Sequence, residues 1–145
     1  MDSLDDVLAY LWRSMNDVSD YSDRANYGPA TSLIVNNVFG THLSKRSKLL
    51  EVGSGLGALV NLVPHLEKLI QQTDINPSIV AQHLVQHPSS NIREVSIYNL
   101  PFPEGSFDAV VGYCAFDTLG DLPRALQEMR RVLAPHGKIF HFLDR

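Results

Sequence analysis

One cysteine, Cys114, stands among 145 residues, so no disulfide can form within the chain. A charged-then-apolar leader is also missing from the start, and an intracellular, cytoplasmic protein is the expectation. No apolar run approaches the roughly 20 residues that a bilayer-spanning helix needs. Basic charge is sparse and scattered: 12 Lys and Arg face 16 Asp and Glu, for a net charge of -4. The one tight basic group, Lys45-Arg46 with Lys48, is too short for a nucleic-acid patch, so no polyanionic partner is expected. Repeats and low-complexity tracts are absent. What is present, 44% apolar and 19% charged residues, is ordinary for a globular domain. The length suits one domain, 1–145, large enough to bury roughly two-thirds of its unfolded surface.

The N-terminal part of that domain reads as mostly helical. Leu4, Val7, Leu8, Leu11, Trp12 and Met15 recur at three- and four-residue spacing and make one apolar face. Ser3 suits the N-cap, and Asp5 and Asp6 suit the positive end of the helix dipole. Residues 16–29 are polar and turn-rich, carry Tyr21 and Tyr27, and read as a loop. A second helix is expected over 30–43, with Leu33, Ile34, Val38 and Phe39 on one side. These N-terminal helices and a substrate-side segment make up 1–46.

From residue 47 onward the pattern changes. Apolar runs at 49–52, 69–73, 92–97, 107–111 and 138–142 alternate with helical stretches near 56–63, 77–86 and 122–133. Such alternation predicts an α/β fold with a mostly parallel, open sheet and helices on both faces. Asp108-Ala109-Val110-Val111 lacks the polar alternation of a half-exposed strand, as buried parallel strands do. Ligands in such sheets bind beyond the carboxyl ends of the strands, at the switch point. The loops after Val52, Thr73, Val95 and Val111 are therefore the ones to inspect.

The first of these loops is Glu51-Val52-Gly53-Ser54-Gly55-Leu56-Gly57. Alternating glycines permit a tight turn and bring backbone amides close to a ligand at a helix start. Taken alone, the loop also suits a packing turn. Gly53-x-Gly55-x-x-Ala58, with Asp74 about 20 residues on, fits a dinucleotide fingerprint as well. Against that stand Glu51, an acid that would face a pyrophosphate, and Gly57, a third glycine one position too early.

Residues 49–57 closely resemble the first motif of the class I S-adenosylmethionine-dependent methyltransferases. The resemblance continues through Thr73-Asp74-Ile75-Asn76-Pro77 and through residues 100–111. It ends with Ala125-Leu126, Glu128 and the stretch 131–137. Four blocks in family order span about 49–142. The resemblance implies a Rossmann-like sheet of order 3-2-1-4-5 over 47–145, S-adenosylmethionine as cofactor and S-adenosylhomocysteine as product. By it, Glu51 and the backbone of Gly53, Ser54, Gly55 and Gly57 would hold the methionine part. Asp74 would accept from the ribose hydroxyls and Ile75 would pack on the adenine. Ser96 would accept from the adenine amine or adenine binding would lean on the Ile97 backbone amide, and Tyr113 would lie beside the cofactor. A carboxylate suits an ammonium group, and an acceptor-only, bidentate group suits a diol.

Three departures stand out. Ser96 replaces the usual Asp, and as a neutral acceptor makes a weaker bond. Phe116-Asp117-Thr118-Leu119 replaces a His pair, leaving Asp117 as a residue facing a substrate or capping a helix. His136 replaces a glycine in the turn before the fifth strand. No catalytic residue is assigned, because methyl transfer is largely in-line positioning, with a base needed only for a protonated nucleophile.

Other constellations read as structural. His83 and His87, four apart, have no third ligand and read as a solvated helix face, so no metal is expected. Cys114 reads as a structural thiol. Tyr21 and Tyr27 anchor the first helix or cover the sulfonium. The chain stops right after the fifth strand, so the usual antiparallel hairpin is absent. Either the chain is a fragment of a longer protein or the apolar edge 138–143 is covered by a second copy or another partner. Two functions are carried forward. One is methyl transfer to a small-molecule acceptor. The other is a cofactor-binding module that is inactive alone and acts in a larger assembly.

Overall fold

The computed structural model describes residues 29–142, with side chains except those of residues 29–34 and 117. The expected helix over 4–15, Tyr21 and Tyr27 lie outside the described residues. Pro29 opens helix α1 (Pro29–His42), which buries Val35 and Phe39, one helical turn apart. Strand β1 (Leu49–Val52) is buried along its whole length. Helix α2 (Ala58–Leu62) is shorter than the expected 56–63. Gly57, at φ 100, delays its start, and Pro64 restricts Val63 and stops it. One 3₁₀ turn (Pro64–Leu66) leads into β2 (Ile70–Asp74).

Helix α3 (Pro77–Gln86) is capped by Asn76, whose side chain accepts from the Ser78 and Ile79 amides, and has Pro77 at its first position. Strands β3 (Asn91–Glu94) and β4 (Phe107–Tyr113) follow. A 3₁₀ turn (Phe116–Thr118) comes next, and then helix α4 (Leu122–Val132), capped by Asp121. Strand β5 (Leu133–Phe142) completes the sheet. It begins earlier than the expected 138, with a register shift: Phe107 faces Leu133, but Ala109 faces Lys138. Residues 134–137 fall within that irregularity and carry Pro135, His136 and Gly137.

The five strands lie in the order β3-β2-β1-β4-β5, and every pairing is parallel. This is the order that the resemblance implies, and it places the switch point between β1 and β4. Alternate residues face opposite layers. Leu49, Ile70, Ala109, Val111 and Tyr113 pack with α1 and α2. Leu50, Val52 and Val110 pack with Ala125, Met129 and Val132 of α4. Phe39 sets its ring edge-on against Phe140 and Phe142, at 5.9 and 5.6 Å, tying α1 to β5. Among the described residues no helix is long and apolar enough to cross a membrane.

Candidate functional site

A cleft of about 250 Å³ opens beyond the carboxyl ends of β1, β2 and β4. Its β1 side is the glycine loop. Ser54 ties this loop to β2 twice. Its amide donates to the Thr73 carbonyl at 2.9 Å, and its hydroxyl accepts from the Thr73 amide at 3.2 Å. A Cβ on Gly53 would stand 2.8 Å from that of Ala115, so the loop after β4 can close against β1 only where this side chain is missing.

Asp74, the last residue of β2, is fixed by its neighbours. Its Oδ2 accepts from the Gly55 amide at 3.0 Å and its Oδ1 from the Asn76 amide at 2.9 Å. Burial raises its carboxyl above the ordinary range, and those donors offset part of the rise. Each oxygen keeps a lone pair for another donor.

Glu51 is fully buried on the α1 and α2 face of the sheet. Loss of water pushes its carboxyl up to about 8, against hydrogen bonds from Gln72 and Ser54 that favour the ionised form. The Gln72 amide donates to Oε2 at 2.9 Å. Among the described residues Oε1 has no hydrogen-bond partner. The loop therefore stands over a buried, largely protonated acid with one oxygen uncommitted. Such an acid suits a cationic group more than a phosphate.

Seven of the ten expected site residues line the cleft: Gly53, Ser54, Gly55, Asp74, Ile75, Ile97 and Tyr113. Ile75 is 60% exposed at its rim, as a residue awaiting a flat apolar partner would be. Glu51, Gly57 and Ser96 do not line it. Glu51 lies one layer down, fully buried and bonded to Gln72. Gly57 faces His87 instead, where a Cβ would come within 2.5 Å of Nε2. Ser96 turns its hydroxyl to the Tyr98 amide at 3.3 Å, closing its own turn.

The sequence reading missed Tyr98, whose ring lines the cleft and whose hydroxyl accepts from the Asp121 amide at 3.1 Å. Cys114 also lines the cleft, at φ 52, a left-handed conformation uncommon for a side-chain-bearing residue. The side chain of Asp117 lies outside the described residues. Asp74 is the one charged side chain among the residues lining the cleft.

The expectation for the histidine pair is overturned. His83 is not on a solvated face but fully buried. It sits four residues after Ile79, on the same inward stripe of α3. Its Nδ1 meets the Gly55 carbonyl at 2.8 Å and its Nε2 the Ser90 hydroxyl at 3.0 Å. Burial lowers its pKa, so the ring is neutral. Among the described residues no group of His, Cys, Asp and Glu is placed to hold a metal.

The last two motif blocks support the cleft from behind. Arg131 donates to the carbonyls of Leu100 and Phe102 at 2.7 and 2.8 Å, and pairs with Glu128. Glu128 in turn accepts from the Leu100 amide at 2.8 Å. The pairing holds Glu128 below the usual carboxylate range. Helix α4 thus clamps the segment that follows Ile97 and Tyr98.

Residues 50–141, well over half of the chain, match the family model described as "Methyltransferase domain". The chain is similar to a demethylmenaquinone methyltransferase of Thermus thermophilus, 46% identical over 100 residues that cover 63% of this chain and 44% of that protein. It is also similar to a mitochondrial arginine-hydroxylase of Rattus norvegicus, 37% identical over 98 residues that cover 61% of this chain and 26% of that protein. It thus spans less than half the length of either curated relative. The solved structure of a putative S-adenosyl-L-methionine-dependent methyltransferase from Methanococcus maripaludis shares the fold. Its TM-score is 0.67 at 18% identity, covering 92% of this chain and 61% of that one.

Proposed function

The chain belongs to the class I S-adenosylmethionine-dependent methyltransferase family, and we propose that its cleft binds S-adenosylmethionine for direct in-line transfer of the methyl group to a small-molecule acceptor. The observation that carries this is the pairing of Asp74 with the glycine loop at the switch point, above a buried acid with an uncommitted oxygen. These groups fit the cofactor. Glu51, through Oε1 directly or by way of Ser54 and water, would take the ammonium. The loop backbone from Gly53 to Gly57 would surround the methionine part. Asp74 would accept from both ribose hydroxyls with its spare lone pairs. Ile75 and Ile97 would enclose the adenine, and Tyr113 would lie beside the cofactor.

When bound, S-adenosylmethionine supplies a methyl made electrophilic by its sulfonium. The chain's own contribution is alignment and the exclusion of water. A small, uncharged acceptor is supported by the cleft's lining, which includes Tyr98, Tyr113 and Leu119 and a single charged side chain. The quinone-methylating relative points the same way.

Calorimetry with S-adenosylmethionine and S-adenosylhomocysteine tests the proposal. Micromolar binding is expected, and no binding below millimolar concentrations would refute it. A second reading, a cofactor-binding module without turnover of its own, is favoured by Ser96, a neutral residue that does not line the cleft and whose hydroxyl is turned to the Tyr98 amide. Binding without methyl transfer across a broad acceptor panel would select it.

A further inference from the structure

We infer that His83 is a positioning residue for the glycine loop, fixing which way the Gly55–Leu56 peptide faces and so presenting the Leu56 amide to the carboxylate of the cofactor. The inference rests on the reading of the cleft given above.

Gly55 is held at both ends by side chains from other elements. Its amide donates to Asp74 at the end of β2, and its carbonyl accepts from His83 on α3. A carbonyl oxygen can only accept, so Nδ1 of His83 carries the proton. Nε2 of the neutral ring is then the acceptor for the Ser90 hydroxyl at 3.0 Å, nearer to that hydroxyl than its other acceptor, Glu67 Oε1 at 3.4 Å. This fixes one tautomer and one ring orientation.

The consequence follows from peptide planarity. In a trans peptide the C=O and the next N–H point in opposite directions. No peptide bond among the described residues is cis. His83 is fully buried and does not line the cleft, whereas Leu56 does. With the Gly55 oxygen turned towards His83, the Leu56 N–H is turned away from it, to the cleft side. No group among the described residues accepts that N–H. If the peptide flipped, a carbonyl oxygen would face an anionic ligand and the donor would be lost. Glycine at 55, at φ 55, has no Cβ to resist such a flip, so an outside restraint is needed. The short helix α2 that follows supplies little dipole of its own, which leaves the oriented amide as the main anchor.

The test uses the full chain as wild type, His83→Leu, His83→Asn and Ser90→Ala. Leucine removes the donor at similar size. Asparagine places an amide donor where Nδ1 stands. Ser90→Ala removes the partner of Nε2, together with the longer 3.4 Å contact of that hydroxyl to Glu67 Oε1, and leaves Nδ1 untouched. In the ligand-free wild type, nitrogen NMR should show His83 with its proton on Nδ1. The Gly55 amide should exchange about tenfold faster in His83→Leu, with recovery in His83→Asn. With S-adenosylhomocysteine, the Leu56 amide proton should shift downfield in wild type and His83→Asn but not in His83→Leu. Affinity should fall about tenfold in His83→Leu, the scale of one charge-assisted bond, return to within threefold in His83→Asn, and stay within twofold in Ser90→Ala. A purely structural histidine would lower the melting temperature of both His83 variants without separating their affinities, and that result would overturn the inference. So would His83 protonated on Nε2 alone. Wild-type chain that fails to bind the ligand would instead refute the reading of the cleft, while the tautomer and the Gly55 exchange would still decide the clamp.

Discussion

The Gln72 amide nitrogen lies 2.9 Å from Oε2 of Glu51, and the two side chains stand opposite each other on adjacent parallel strands, both fully buried. Burial leaves Glu51 with a pKa of about 8 against an ordinary value of 4.5. An acid whose folded pKa is raised binds its proton more tightly in the folded state. Its contribution to stability is therefore fully present below about 4.5 and is lost as pH rises through about 8. The difference corresponds to at most roughly 5 kcal/mol at 1.36 kcal/mol per unit. Urea unfolding at pH 5 and pH 8.5 should show wild type losing several kcal/mol relative to Glu51→Gln over that window. Parallel pH dependences for the two proteins would sink the assignment.

The same acid couples binding to protons. At pH 7 Glu51 is mostly protonated, yet an ammonium partner needs the carboxylate. S-adenosylhomocysteine binding should therefore release nearly one proton at pH 7, seen as an enthalpy that changes with the ionisation heat of the buffer. In Glu51→Gln this buffer dependence should vanish and affinity should drop about tenfold. A buffer-independent enthalpy in wild type would place the ammonium elsewhere.

Much of this was legible in the sequence, and the gaps have definite causes. The five parallel strands and the place of the cleft follow from five short apolar runs and the glycine loop, because buried parallel strands and their carboxyl-end loops leave a strong pattern, whereas the strand order came with the family resemblance. Gln72 was not legible as a partner of Glu51, since their pairing depends on the register between β1 and β2, which no local pattern carries. The burial of His83 is legible in the spacing of α3. His83 lies four residues after Ile79 and shares its inward stripe, but two histidines at that spacing equally fit a metal site or a solvated face. Tyr98 lies in a turn without periodicity, and Arg124 stacks over its ring at 5.6 Å from a helix that begins 24 positions later in the chain, at Leu122. Such contacts belong to tertiary structure alone.

The clamp behind the cleft should behave as one unit. Arg131 satisfies two carbonyls of the segment after Tyr98 and both oxygens of Glu128, which itself holds the Leu100 amide. Arg131→Met and Glu128→Met should each cost about 1–3 kcal/mol, towards the lower end for Arg131, whose side chain is 37% exposed and partly screened. The double variant should cost clearly less than the sum, with a coupling of about 0.5–2 kcal/mol. Denaturant unfolding of all four proteins measures it, and simple additivity would show that the two residues act separately. Lysine at 131 should not restore stability, because a single ammonium cannot reproduce the planar fork that reaches both carbonyls.

Gly57 offers a test that separates shape from binding. It sits at φ 100, and a Cβ there would come within 2.5 Å of Nε2 and 2.7 Å of Cδ2 of His87, and 3.1 Å from Val60 Cγ2. His87 cannot swing freely, since it caps α3, sets its ring at a tilt 5.1 Å from that of His83 and lies 3.6 Å from Glu67. Gly57→Ala therefore combines a left-handed backbone penalty with overpacking and should cost about 2–4 kcal/mol. Adding His87→Ala removes the clash with the ring but not the backbone penalty, so it should recover roughly half of that loss. Gly57 does not itself line the cleft, so the double variant should regain S-adenosylhomocysteine affinity more fully than it regains stability. Melting temperature and calorimetry on the single and double variants read the two effects independently. If His87→Ala restored no stability to Gly57→Ala, the crowding between loop and helix would not be what makes glycine necessary there.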